Sequence, residues 1–343
     1  MKARSNCAMG VDRRTVCLSL FLAATAGCAQ AGGSKVMTDG VNWPSFKAAF
    51  LDRSGRIIDN GNGGISHSEG QGYGLGLALW GDDRAAFDSV FRWTEDNLLN
   101  RETGLYAWRY DPRQSNPIGD PNNATDGDIF IAWALAGAGR KWKNPTYLSR
   151  SKAIRQVIRS TLVIDRYDRS LLLPGLHGFV TPQAVTLNPS YFIWPALDAF
   201  RQLDGAAVWG KIISDNEAIA SASRFGPLRL PTDWIDVSGP NMVAPASGRP
   251  ARFGFDAIRV PLYAASGKRA NLLAPVTDFW RGYVGKGKPI PAWVDVELGE
   301  EAPYALSPGG MAVASRALGM NAPASLSADY YAAVLQMLAR ALP

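Results

Sequence analysis

An all-helical fold in a single domain is what this sequence predicts, and three observations carry the prediction. Eleven segments repeat apolar or aromatic residues at helical spacing. Long apolar strand runs of the kind that build parallel sheets are absent, which argues against a β/α barrel. No composition break or linker divides the chain beyond its first 31 residues. A chain of 343 residues that is 47% hydrophobic and 19% charged is not mainly disordered, collagen-like or coiled-coil. It is long enough to bury a large core without disulfides.

The elements follow in order. Segment 44–53 sets Phe46, Ala49 and Phe50 on one face, and 69–80 follows it. Segment 84–99 places Ala86, Phe87, Val90, Phe91, Trp93 and Leu98 along a broad stripe. Segment 126–140 comes next. Pro145-Thr146-Tyr147 then opens a segment continued by Leu148, Ile154, Val157 and Ile158. Segments 190–204, 206–220, 254–265, 269–281, 308–319 and 326–341 have the same character. Strand-like pieces are short, at 161–164 and 290–296. Loops 100–125, 165–189 and 222–253 are long enough to need a functional reason.

Residues 1–31 read as an export signal. Lys2, Arg4, Arg13 and Arg14 precede an apolar run from Val16 to Ala26, and small residues lead to Ala29-Gln30-Ala31, with the cut expected after Ala31. The run is too short to span a bilayer. Arg13-Arg14 is a loose match to the twin-arginine route. Ala26-Gly27-Cys28 is the competing lipoprotein site, disfavoured by Thr25 where a larger apolar residue is usual. The expected product is residues 32–343, periplasmic or secreted and not stably inserted in a membrane. Removing four basic and one acidic side chain leaves 32 basic and 29 acidic, a net charge of +3 instead of +6. No Lys/Arg tract marks a nucleic-acid surface. Cys7, Cys17 and Cys28 all leave with the signal, which excludes disulfides, cysteine nucleophiles and thiolate metal sites in the product.

Three stretches carry candidate chemistry. In His67-Ser68-Glu69-Gly70-Gln71-Gly72-Tyr73-Gly74, a glutamate sits among glycines and an aromatic, with Ser68 as a candidate helix cap. A helix start favours the Glu69 anion and burial favours the neutral acid, so either direction is open. The plain alternative is a solvated Glu in a glycine-rich turn, and no phosphate loop is present. In Ala124-Thr125-Asp126-Gly127-Asp128, the carboxylates open a helix and Thr125 or Asp126 is placed to cap it. The calcium-loop pattern is missing. In Phe255-Asp256-Ala257-Ile258-Arg259-Val260-Pro261, Asp256 and Arg259 share a helix face, as an ordinary ion pair would. His67 and His177 are too few for a histidine metal cluster and read as hydrogen-bonded loop residues.

Together these stretches resemble glycoside hydrolase family 8, over roughly residues 40–341. The Ser68–Gly74 and Ala124–Asp128 runs, the latter followed by Ile131-Ala132, Ala138 and Trp142, are the specific part of the resemblance. Ala136 departs from it, standing where a larger aliphatic is usual. The resemblance implies an (α/α)6 barrel, a six-hairpin toroid. It implies Glu69 as proton donor, Asp256 as general base, and Asp126 as the carboxylate that holds and distorts the sugar before the cut. Asp126 is also described in the family as nucleophile or base, so its role is the least settled. Tyr191, in Asn188-Pro189-Ser190-Tyr191, matches a tyrosine that positions the water, and Arg259 an arginine beside the base. The resemblance is closest to cellulases that accompany bacterial cellulose synthesis, which implies a β-1,4-glucan substrate and functional association with a cellulose synthase complex. No cofactor or metal is implied.

Inverting hydrolysis needs one protonated carboxyl at the glycosidic oxygen and one ionised carboxylate across the sugar, roughly 6.5–9.5 Å away. Flat glucan faces suit aromatic stacking, and Tyr73, Trp80, Trp108, Trp133, Trp194 and Trp234 are candidates, with core packing as the alternative for each ring. The low net charge suits a neutral glucan better than cationic chitosan. Mixed-linkage glucanase, xylanase or chitosanase activity, and a silent glucan-binding protein, stand as alternatives.

Overall fold

The computed structural model describes residues 40–343, so the expected signal at 1–31 lies outside the described residues. All eleven expected helices form: α1 (Trp43–Phe50), α2 (Ser68–Trp80), α3 (Arg84–Asn97), α4 (Thr125–Lys141), α5 (Pro145–Thr161), α6 (Trp194–Asp204), α7 (Ala206–Ala222), α8 (Arg259–Ser266), α9 (Ala274–Val284), α10 (Pro308–Leu318) and α11 (Tyr330–Ala341). Local chemistry explains most starts. Asn42, Asp83, Asn144, Ser307 and Asp329 each accept a hydrogen bond from a first-turn N–H, and Pro opens α1, α5, α6, α9 and α10. Proline also trims two elements. Segment 190–204 splits into a 3-10 turn, Pro189–Tyr191, and α6, and segment 269–281 into a 3-10 turn, Ala270–Leu272, and α9.

Two capping expectations are corrected. His67, not Ser68, caps α2, its Nδ1 accepting the Gly70 N–H at 3.0 Å. Neither Thr125 nor Asp126 caps α4: the cap position is Ala124, without a side-chain bond, and Thr125 Oγ1 donates to the Leu173 carbonyl instead.

Helices α2, α4, α6, α8, α10 and α11 pack side by side, and α11 closes on α2, so they form a ring. Helices α10 and α11 run parallel, with Gly309 against Ala332 and Arg316 bonded to the Ala339 carbonyl. Helices α1, α3, α5, α7 and α9 lie outside the ring. Segment 319–329 takes the sixth outer place without an α-helix, so the expected barrel has six inner and five outer helices among the described residues. Burial follows the layers. Helix α2 is buried all round from Gly70 to Leu79, whereas α5 buries one stripe, Tyr147, Ser151, Ile154, Arg155 and Ile158.

The strands are short and antiparallel. The expected pieces appear as β3 (Val163–Arg166), paired with β4 (Arg169–Leu172), and β9 (Val294–Asp295), paired with β8 (Arg252–Phe253). Two of the long loops hold more order than expected: β5 (Val185–Leu187), β6 (Ile235–Gly239) and β7 (Met242–Pro245) form a three-stranded sheet. The alternation in Ile235–Gly239 is present in sequence, but its partner lies about fifty residues upstream. β1 (Ser66–His67) pairs with β2 (Arg109–Tyr110) and leads directly into α2.

Candidate active site

The inner helices start at one end of the ring, and that end gathers the candidate carboxylates. Glu69 and Asp126 occupy the first turns of α2 and α4, where the helix dipoles favour negative charge. The two helices meet closely because residue 127 is glycine. A Cβ there would lie 2.3 Å from Ser68 Oγ and 2.8 Å from the Glu69 nitrogen. Asp256 lies in the turn before α8. Its N–H and that of Ala257 donate to Asp233 Oδ1 at 2.9 and 2.7 Å. Gly254 permits this approach, since a Cβ would stand 2.7 Å from Asp233 Oδ2. The expected start of this helix at 254 thus gives way to a turn held from across the loop.

Arg259 joins the parts. It lies in the first turn of α8 with a side chain only 5% exposed. Nη1 is 3.2 Å from Glu69 Oε1, and Nη2 is 3.0 Å from Asp256 Oδ1 and 3.8 Å from Asp126 Oδ2. Nη2 also donates to Ser190 Oγ at 3.0 Å and Nη1 to Tyr331 Oη at 3.4 Å. The expected ordinary ion pair with Asp256 exists, but as one arm of a buried guanidinium that spans three carboxylates. One planar group holding Glu69 and Asp256 keeps them within the roughly 9.5 Å upper end of the inverting geometry.

Glu69 is tied further. The Tyr73 hydroxyl, one turn along α2, donates to Glu69 Oε1 at 2.8 Å and lies 3.0 Å from the Tyr263 hydroxyl. Glu69 and Asp126 face the same guanidinium, Asp126 from the first turn of α4. Burial pushes the Glu69 carboxyl up, but Arg259 first, then His67 and the bonds from Tyr73 and Asp126, outweigh it and hold the group below the usual range. His67 Nε2 lies 3.3 Å from buried Asp59, and its Nδ1 lies 3.9 Å from Glu69. Burial lowers the proton affinity of His67, but Asp59 and then Glu69 raise it above the ordinary value. The capping bond from Gly70 opposes a proton on Nδ1, so the neutral form carries its hydrogen on Nε2, toward Asp59.

The second carboxylate of the α4 motif does different work. Asp128 is fully buried and accepts from the Tyr106 N–H and Asn123 Nδ2 at 2.9 and 2.7 Å. Burial pushes it up to about 7, against both bonds and Arg150. It ties down the loop before α4.

The aromatic candidates divide. Tyr73 meets Glu69 directly. Tyr191 lies beside Ser190, a partner of Arg259, and is packed edge-to-face with Trp234 at 6.2 Å. Trp108 is half-buried at the mouth; its carbonyl accepts the Ser68 N–H at 3.2 Å and its Nε1 donates to Asp120 at 2.8 Å. Trp133 is a correction. It lies two turns beyond Asp126, about 10 Å along the helix, and with Trp80 lines a separate cavity of about 160 Å³ between α2 and α4. Trp194 is also a correction: it is 1% exposed, with the Arg269 guanidinium 4.8 Å over its ring, and has no face for a sugar. Trp234 stacks on Phe179 and lies under Arg249. His177 lies on an exposed loop, its N–H and carbonyl bonded to Asn122. Among the described residues no group of three His, Cys, Asp or Glu side chains is placed to hold a metal.

Sequence reasoning missed Asp233, Ser190, Tyr263 and Tyr331. Tyr331, whose hydroxyl donates to the Phe255 carbonyl, had one signal: a tyrosine pair opening the last helix.

Comparison with known proteins bears on this arrangement. The model of Glycosyl hydrolases family 8 matches residues 9–342. The chain is 39% identical over 278 residues to an endoglucanase of Cellulomonas uda, covering 81% of this chain and 77% of that protein. It is similar to the structure of a GH8 endo-β-1,4-glucanase from an Achatina fulica gut metagenomic library, with a TM-score of 0.84 and 39% identity over 87% of this chain and 95% of that one. The endo-β-1,4-glucanase CMCax of Acetobacter xylinum gives a TM-score of 0.83 and 38% identity over 89% and 98%. The family match spans nearly the whole sequence, and the chain belongs to glycoside hydrolase family 8.

Proposed function

We propose that this glycoside hydrolase is an endo-acting, inverting β-1,4-glucanase that cleaves cellulose or a related β-glucan. The observation that carries the reading is the single Arg259 guanidinium reaching both Glu69 and Asp256. Glu69 is the general acid and Asp256, the most exposed of the three carboxylates at 31%, is the base open to a water. Asp126 holds and distorts the sugar before the cut. Substrate entry removes the remaining water from Glu69 and raises its proton affinity. Glu69, protonated in the complex, then gives its proton to the glycosidic oxygen while Asp256 takes one from the attacking water. Tyr73 holds the Glu69 carboxyl in the orientation this requires, and Tyr191 and Trp108 line the path of the chain. The names of the relatives support the choice of β-1,4-glucan over xylan or chitosan, and reducing-sugar release compared across those polymers and mixed-linkage glucan tests it. We further propose export of the mature chain and association with a cellulose synthase complex. Among the described residues no helix is long and apolar enough to cross a membrane.

The test of the site is a pair of variants. Glu69→Gln and Asp256→Asn should each lower cellulose turnover by about 10²–10⁴-fold, the usual worth of general acid–base catalysis. On a dinitrophenyl glycoside the leaving group departs without a proton, so Glu69→Gln should be partly rescued and Asp256→Asn should not. Near-normal turnover of cellulose by both variants would refute the assignment.

A further inference from the structure

One sizeable cavity among the described residues lies away from the catalytic carboxylates. A trough of about 730 Å³ lies on the outer face of the barrel, between α9, the turn at 224–229 and the segment 286–301. Its volume falls in the roughly 300–1,000 Å³ range of ligand sites. Arg224, Arg229, Lys286 and Lys288 stand around it, and none of them makes an ion pair among the described residues. The two acidic side chains there are engaged: Asp278 pairs with Arg281 at 3.1 Å, and Glu301 accepts from the Tyr283 hydroxyl. Gly282 forms part of the floor, and a Cβ there would meet open space. The fold therefore does not need a glycine at 282, which is a poor residue for a helix interior, and any longer side chain would fill the trough. Apolar surface comes from Leu228, which is 44% exposed, and the Tyr283 ring.

From these observations we propose that the trough is a second, non-catalytic site that binds a carboxylate-bearing sugar chain. Cations without a carboxylate partner, Arg224 bonded only to the Asn271 carbonyl, match carboxylates at intervals along a polymer. Apolar patches between the cations match the C–H faces of the sugar rings. The inference is independent of the catalytic assignment and rests on the glucanase reading only for the choice of backbone in the probe.

Affinity electrophoresis of the full chain in the Glu69→Gln background tests it, with carboxymethyl cellulose and hydroxyethyl cellulose as probes on a common glucan backbone. The carboxylated polymer should retard the protein more. Gly282→Trp, which changes no charge, should remove that excess. Lys286→Gln with Lys288→Gln should weaken it by roughly tenfold, the worth of two exposed ion pairs. Retardation by hydroxyethyl cellulose and the melting temperature should stay unchanged in both variants. An excess that survives Gly282→Trp would reduce the effect to net charge and overturn the proposal, as would equal retardation of the parent by the two polymers. Equal loss of the excess with polyphosphate as probe would reassign the trough to phosphates and overturn the choice of ligand. Cutting of the polymers in this background would instead indict the catalytic assignment and leave the retardation difference readable.

Discussion

Replacing Arg259 by methionine removes the guanidinium shared by Glu69, Asp126 and Asp256 while keeping a long side chain. Glu69 and Asp126 then stay in place, 18% and 4% exposed at the side chain, without the guanidinium that compensates them. Breaking a buried pair by deleting one partner costs about 3–5 kcal/mol. For a domain of this size that is a fall in melting temperature of about 5–8 °C at pH 7. The pH dependence separates this electrostatic cause from lost packing. Glu69 has a depressed proton affinity in the folded parent. Its contribution to stability is therefore present above the ordinary glutamate value and is lost as pH falls through the lower folded value. In the variant that depression is gone, so the deficit against the parent should be largest at neutral pH and shrink toward pH 4 as the carboxyls protonate. Thermal melts of both proteins from pH 4 to 8 measure it. A deficit constant across that range, or one below about 1 kcal/mol, would mean that Arg259 serves packing and that the site is not organised around its charge.

Other outcomes follow from the same geometry. Gly127→Ala should lower stability by about 1–3 kcal/mol and reduce turnover, because the new Cβ meets the Glu69 backbone; unchanged kcat in a folded variant would show that the α2–α4 approach does not position the acid. Proton NMR of a fresh digest should show the α-anomer first, and a β-anomer first would require carboxyls roughly 5–5.5 Å apart and a covalent intermediate. Asp128, pushed up to about 7 by burial, holds a proton in the folded chain that the unfolded chain releases near 3.8, so its contribution to stability is full at low pH and is lost as pH rises toward 7. Asp128→Asn does not titrate, and urea melts at pH 5 and 8 should show a flatter pH dependence than the parent's. Equal slopes would place the carboxyl's proton affinity back in the ordinary range.

The helices were legible because their causes are local. Asn42-Trp43-Pro44, Asn144-Pro145 and Ser307-Pro308 carry both the cap and the fixed backbone of a first turn. The apolar stripe of 84–99 shows its inward face without reference to any neighbour. The motifs around Glu69, Asp126 and Asp256 were legible for a similar reason: each is a short run whose pattern survives in one dimension. What one dimension does not contain is who meets whom. Asp256 and Arg259 read as a local pair, because their sequence neighbours say nothing of Glu69 and Asp126 arriving from two other helices. Trp133 and Trp194 look like Trp108 as letters, yet their places on inner helices turn them away from the mouth. The β5–β6–β7 sheet joins strands separated by a helical hairpin, so its hydrogen bonds have no local signature. Residue types and caps set the helices one turn at a time. Closing those helices into a ring is a long-range event, and only that closure decided which carboxylates share a cation, which rings reach the mouth, and where Asp233 holds the turn that carries Asp256.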